Sequence, residues 1–185
     1  MAKEVSTLKN MIFALVGPSG SGKSTLIKEA LEIIGNKIGI VRSLTTRAQK
    51  DELDALFYDF VTQQEFNKKL FADELVEWVE YAGNSYGYER TTVDAVLKEK
   101  LGICAATEHG VIALMQAGYH VKAIGITTIY QKSPINAERE KEDRERAKLH
   151  ITFQKEITNS FLKGGKEKAV KELVDYIKNF TKGGK

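Results

Sequence analysis

The chain is poor in several of the residues that would direct its chemistry elsewhere. Cys104 is its only cysteine, so an intramolecular disulfide is excluded, and its apolar neighbours favour a buried thiol over a reactive one. The three histidines stand far apart, at 109, 120 and 150, and no Cys/His spacing suggests a zinc site. No apolar run approaches the roughly 20 residues that a membrane-crossing helix needs. The first residues, MAKEVSTLKN, carry no secretory h-region, which predicts a cytoplasmic location and no membrane partner. A net charge of +3 is small for 185 residues and argues against a nucleic-acid partner. Without internal repeats or low-complexity linkers, residues 1–185 read as one core domain with room for small appended subdomains.

What the chain does have is Gly17-Pro18-Ser19-Gly20-Ser21-Gly22-Lys23-Ser24, a complete G-x-x-x-x-G-K-[ST] pattern. Before it lies MIFALV, an apolar run of strand length with the character of a central strand buried on both faces. After it, Leu26, Ala30, Leu31 and Ile34 recur at helical spacing until Gly35 and Asn36 stop the helix. In that setting the glycines allow a tight turn whose N–H groups point at phosphate oxygens, and the helix N-terminus adds its dipole. Residues 17–25, from Gly17 to Thr25, are therefore expected to hold a nucleoside triphosphate. Lys23 should reach the β and γ phosphates and face solvent when the loop is empty, while the Ser24 hydroxyl can ligate Mg²⁺.

Along the rest of the chain, strands and helices alternate as in a parallel α/β sheet flanked by helices. Core strands are expected near 11–16, 37–42, 102–106, 121–127 and 155–159, and helices at 23–34, 91–100, 109–117, 134–149 and 166–180. The block 43–90 has a different grain. It holds most of the tyrosines and the only tryptophan, with LFYDFV and LVEWVEYAG reading as short strands around a helix at 62–72. This is an inserted α+β subdomain, leaving a core of 10–42, 91–130 and 151–182 and a helical segment at 131–150.

Three blocks then follow the phosphate loop in a fixed order: Ser43-Leu44-Thr45-Thr46-Arg47, LFYDFVTQQEF at 56–66, and Glu77-Trp78 followed by Gly83-Asn84-Ser85-Tyr86-Gly87. In this order and spacing they resemble the S-x-T-T-R, D-Y-x-F-V-x-x-x-E-F and E-W-x-x-x-x-G-N-x-Y-G elements of the guanylate kinase family of nucleoside monophosphate kinases. The resemblance covers nearly the whole chain. It implies a P-loop NTPase fold, a GMP-binding subdomain at 43–90, a lid at 131–150, and transfer of the ATP γ-phosphoryl group to GMP or dGMP in the presence of Mg²⁺, by a monomer or homodimer. It places the acceptor phosphate on Arg47, Tyr58 and Tyr86, with Lys50 where the family usually has a second arginine. Ser43 matches a family hydroxyl that contacts the base.

The chemistry of these residues agrees. A guanidinium such as Arg47 can bind two phosphate oxygens as a fork, whereas Lys50 offers a point charge. Glu77 can accept two hydrogen bonds at once, from guanine N1–H and its amine, and adenine would leave it unpaired. Two departures stand out. The family's next base-reading position, a serine or threonine after the Tyr-Gly pair, is Tyr88, which either fills part of the base pocket or points elsewhere. The segment GICAATEHG at 102–110 lacks the family's aspartate pair, and Glu108 is its nearest carboxylate, read either as a substitute or as a first-turn helix residue. In the lid, Arg139 and Arg144 are the arginines expected to reach the triphosphate. A related kinase with a different phosphorylated acceptor, or a non-enzymatic binding module, also fits parts of this pattern, although a module has no need of Lys23 and Ser24.

Overall fold

The computed structural model describes residues 10–129, 141, 144–145 and 148–181. Met11–Val16 forms β1, at the centre of a five-stranded parallel sheet. Its uninterrupted apolar run is explained by burial on both faces. Ile12, Ala14 and Val16 face one layer of helices, and Met11, Phe13 and Leu15 face the other. From β1 the chain enters helix α1, Lys23–Ile34, and then β2, Ile38–Ile40. The strand expected at 37–42 is thus shorter, because Gly35–Lys37 forms a 3-10 turn and the chain leaves the sheet after Ile40.

The insert follows as β3 (Ser43–Thr45), α2 (Asp54–Phe57), β4 (Tyr58–Phe60), α3 (Gln63–Phe71), β5 (Leu75–Tyr81) and β6 (Asn84–Glu89). Its four-stranded sheet has the order β4-β3-β6-β5, in which only β3 and β4 are parallel. Helix α3 begins one residue later than expected because Thr62 is its cap: the Thr62 hydroxyl accepts from the Glu65 amide, and the Glu65 carboxylate accepts from the Thr62 amide at 2.8 Å. Leu44, Phe66 and Leu75 form a small core of their own.

Back in the core come α4 (Arg90–Glu99), β7 (Leu101–Ala105), α5 (Glu108–Gln116), β8 (His120–Ile129), β9 (Lys155–Ser160) and α6 (Gly165–Thr181). The sheet order is β2-β7-β1-β8-β9. Val93 and Leu97 of α4 and Val111 and Leu114 of α5 cover one face; Leu26, Ile27 and Ala30 of α1 and Ala169 to Ile177 of α6 cover the other. Phe180 completes the stripe expected on α6 with an edge-on contact to Phe13, ring centroids 5.5 Å apart. The sheet's carboxyl ends all open toward the insert side of β1, the place where α/β sheets bind ligands. The helix expected at 134–149 and Arg139 fall largely outside the described residues; Lys141, Arg144 and Glu145 are helical and exposed.

Candidate active site

The phosphate loop is fixed by close backbone packing. A Cβ on Gly17 would collide with the Ile126 carbonyl of β8, so the loop leaves β1 through a gap that admits only glycine. Gly22 caps α1 with φ 84°, a left-handed conformation that a side chain disfavours, and its carbonyl accepts from the Leu26 amide at 2.9 Å. Beside it, the Asn159 amide on β9 donates to the Ser21 carbonyl at 2.8 Å. Asn159 is 3% exposed, and it ties the loop to a strand more than a hundred residues away. Lys23 is half-buried at the cavity wall, and one of its bonds lies open to solvent. Its ammonium folds back to donate to the Gly17 carbonyl at 2.7 Å and the Pro18 carbonyl at 2.9 Å, the acceptors the turn brings within its reach.

In the insert, side chains hold one another. Arg47 donates to the Asp54 carboxylate at 2.8 Å and lies over the Tyr58 ring, 5.0 Å from its centroid. The Lys50 backbone amide donates to the same carboxylate oxygen at 2.9 Å. Burial alone would push the Asp54 carboxyl above its ordinary pKa, but the bonds from Arg47 and the Lys50 amide hold it below that value. Tyr58 and Tyr86 are edge-to-face, 6.1 Å between centroids. Arg47 is therefore an anchored side chain, not a loose surface charge.

Glu77 reaches the site through a β-bulge. Leu75 pairs with Glu89 and Glu77 with Tyr88, leaving Val76 without a partner on β6. Two residues apart on a regular strand, Leu75 and Glu77 would share a face; the bulge sends Leu75 into the insert's own core and Glu77 to the opposite side with Val79 and Tyr81. No hydrogen bond to Glu77 is present among the described residues, and burial pushes its carboxyl up to about 7. Tyr88, opposite it, is 4% exposed and donates its hydroxyl to the Ala105 carbonyl at the end of β7, at 3.1 Å.

These groups line one cavity of about 480 Å³. From the loop come Gly17, Ser19, Gly20, Gly22, Lys23, Ser24 and Thr25; from the insert come Ser43, Arg47, Lys50, Tyr58, Glu77 and Tyr86. Pro18 and Ser21 do not line it: Pro18 is exposed and Ser21 is fully buried. Ser43 is buried, and its hydroxyl, with one proton to give, lies 3.1 Å from both the Leu44 and the Gly87 carbonyl. Tyr88 also lines the cavity. Glu108 lines the cavity and is also a first-turn residue of α5, whose cap is the Thr107 hydroxyl accepting from the Gly110 amide at 3.1 Å. Arg144 does not line it. Sequence reasoning missed Asp54, Asn159 and Phe161. Asp54 stands seven residues after Arg47, but an acid near an arginine is too common a signal to single out. Asn159 acts through a contact that no local pattern reports.

Among the described residues, no helix is long and apolar enough to cross a membrane. A family model described as guanylate kinase matches residues 9–179. A guanylate kinase of Schizosaccharomyces pombe is 43% identical over 88 residues, 47% of this chain and 44% of that protein. One from Mycoplasmopsis pulmonis is 31% identical over 128 residues, 68% of this chain and 65% of its own length. The chain spans about half the length of most of the curated relatives it matches. The crystal structure of guanylate kinase from Anaplasma phagocytophilum superposes with a TM-score of 0.64 at 26% identity, covering 94% of this chain and 85% of that one. The match runs through the central sheet, the phosphate loop and the insert alike, and the chain belongs to the guanylate kinase family.

Proposed function

We propose that the chain is an ATP-dependent guanylate kinase that transfers the γ-phosphoryl group of ATP to GMP or dGMP, giving ADP and GDP. The observation that carries this reading is the single cavity in which a phosphate loop faces Arg47, Tyr58, Tyr86 and Glu77. Phosphoryl transfer asks a protein for alignment and charge neutralisation more than for covalent chemistry. The loop amides and the α1 N-terminus bind the donor phosphates. Lys23, already aimed across the loop mouth, exchanges its two carbonyl partners for phosphate oxygens and offsets the charge of the migrating group. Arg47 and the two phenols orient the acceptor phosphate, with Asp54 keeping the guanidinium in place and Lys50 adding charge.

Glu77 reads the base. In its ionised form it accepts from N1–H and the amine of guanine, and an adenine ring would present it with an acceptor. The hard-oxygen donor set at the loop fits Mg²⁺: Ser24 would hold it, with water and phosphate supplying the other positions, and its contribution is to neutralise phosphate charge. Arg139 and Arg144 are proposed to close over the triphosphate from a lid at 131–150. The same reading makes 43–90 the acceptor subdomain on the core of 10–42, 91–130 and 151–182, and places a monomer or homodimer in the cytoplasm.

The deciding experiment compares kcat/KM for GMP, dGMP, IMP, AMP, CMP and UMP by ADP release. GMP and dGMP are expected to lead, with IMP intermediate. Because Tyr88 narrows the base end, a preference for another monophosphate would replace GMP as acceptor, and no ADP release with any of them would overturn the kinase reading.

A further inference from the structure

The base end of the cavity contains a pairing that its neighbours do not explain. Glu77 and Tyr88 stand directly opposite on β5 and β6, so their side chains share the cavity face. An ideal Cβ at Gly110 of α5 would lie 3.5 Å from the Tyr88 ring and 3.7 Å from the Glu77 carboxylate oxygen. The α5 glycine is therefore the floor on which both rest. The Tyr88 hydroxyl passes beyond Glu77 to the Ala105 carbonyl, 3.1 Å away. The tyrosine ring lies beside the carboxylate on the cavity face and spends its own hydroxyl on the core sheet.

We propose that Tyr88 is a positioning residue for the base reader: packed beside Glu77 over Gly110, its ring covers the flank of that carboxyl and governs how far water reaches it. This rests on the acceptor reading of the cavity given above. The groups facing Glu77 agree with it. Tyr88 faces it from β6 and Cys104 from β7, while Glu108, Arg47, Tyr58 and Tyr86 line the same cavity. Burial raises both the Tyr88 phenol and the Cys104 thiol, the latter to about 12, so neither supplies charge at neutral pH. Burial is the cause that holds the Glu77 proton on up to about pH 7.

A guanine edge brings two donors and needs the carboxylate, so below that value binding must expel the proton and affinity falls. The fall from pH 8 to pH 6 is about tenfold for a carboxyl titrating near 7, and absent for one in the ordinary range. The monophosphate titrates in the same region, but that loss is common to all variants and cancels when they are compared.

The test measures GMP affinity by calorimetry at pH 6 and pH 8 for the full chain and for Tyr88→Ser and Tyr88→Phe, together with the Glu77 titration followed by carbon NMR without ligand. Tyr88→Ser is expected to lose about tenfold of the wild-type pH dependence and to bring the Glu77 titration down toward the ordinary range. Tyr88→Phe, which keeps the ring, should retain both. An unchanged Glu77 titration in Tyr88→Ser would overturn the proposal, as would a wild-type Glu77 that is ionised throughout. GMP that fails to bind at any pH while the NMR result holds would overturn the GMP reading of the site, and the coupling to that ligand with it. The NMR arm does not depend on which acceptor binds, so the two failures are told apart.

Discussion

The two ends of the cavity are built on opposite plans. At the loop end, backbone groups and buried glycines set the geometry: Gly17 against Ile126, Gly22 at the head of α1, and one amide from Asn159. At the insert end, side chains do so: Arg47 on Asp54, Tyr58 against Tyr86, Tyr88 across to Ala105. Triphosphate chemistry is the same for every donor, so a backbone cradle suffices. Recognising one acceptor requires particular side chains, and these can change while the scaffold stays. The difference also explains why the chain keeps GPSGSGKS whole yet departs from its family at 50, 88 and 102–110.

Lys23→Ala presses hardest on the donor half. Turnover should fall by at least about a thousandfold, equivalent to about 4 kcal/mol of transition-state stabilisation, with the far-ultraviolet spectrum and melting temperature little changed. Retained turnover would mean that the backbone cradle alone performs the chemistry. Next in size is Arg47→Ala on the acceptor half: KM for the monophosphate should rise and kcat fall, together by roughly 2–3 kcal/mol, while KM for ATP holds. An equal loss for both substrates would erase the distinction between the two ends. Lys50→Arg should be tolerated or beneficial in the same assay.

Gly17→Ala probes rigidity at the loop end without touching a charge. Its methyl meets the Ile126 carbonyl, so urea unfolding should show a loss of roughly 1–3 kcal/mol, accompanied by weaker ATP binding. The smallest effect belongs to Glu77→Gln and has the opposite sign. Burial raises the Glu77 carboxyl from 4.5 to about 7, so the folded chain keeps a proton that the unfolded chain releases in this window. The stability tied to that proton is complete below pH 4.5 and is lost as pH rises through about 7. The glutamine variant lacks this loss, and its stability relative to wild type should improve by about 2 kcal/mol between pH 5 and pH 8. Parallel stability curves for the two proteins would show that Glu77 is hydrated.

The parts legible in the sequence were those fixed by neighbours along the chain. MIFALV, GPSGSGKS and the helix behind them read as strand, loop and helix because burial on both faces, glycine turns and helical spacing each leave a local mark. The family blocks likewise brought Arg47, Tyr58, Glu77 and Tyr86 to one cavity. What escaped depended on distant partners. Lys23 bends to carbonyls that only the folded loop exposes, Asn159 reaches Ser21 from more than a hundred residues away, and the destination of Tyr88 depends on where β7 ends. β2 ended early because the chain had to leave the sheet for the insert, a topological demand with no sequence mark of its own.

The extra residue in β5 has a consequence for how this site can change. Because Val76 absorbs the mismatch, the position of Glu77 is counted from the hairpin turn at Ala82 and Gly83, and not from the hydrophobic anchor at Leu75. The strand is thereby divided into two independent rulers. Residues gained or lost on the α3 side of the bulge alter how the insert packs and leave the reader on its face. A single residue gained or lost between Glu77 and the turn rotates the carboxylate to the outer surface, exchanging it with the exposed Trp78. The face that Glu77 presents is thus guarded by the length of four residues, and the rest of the insert is free to drift.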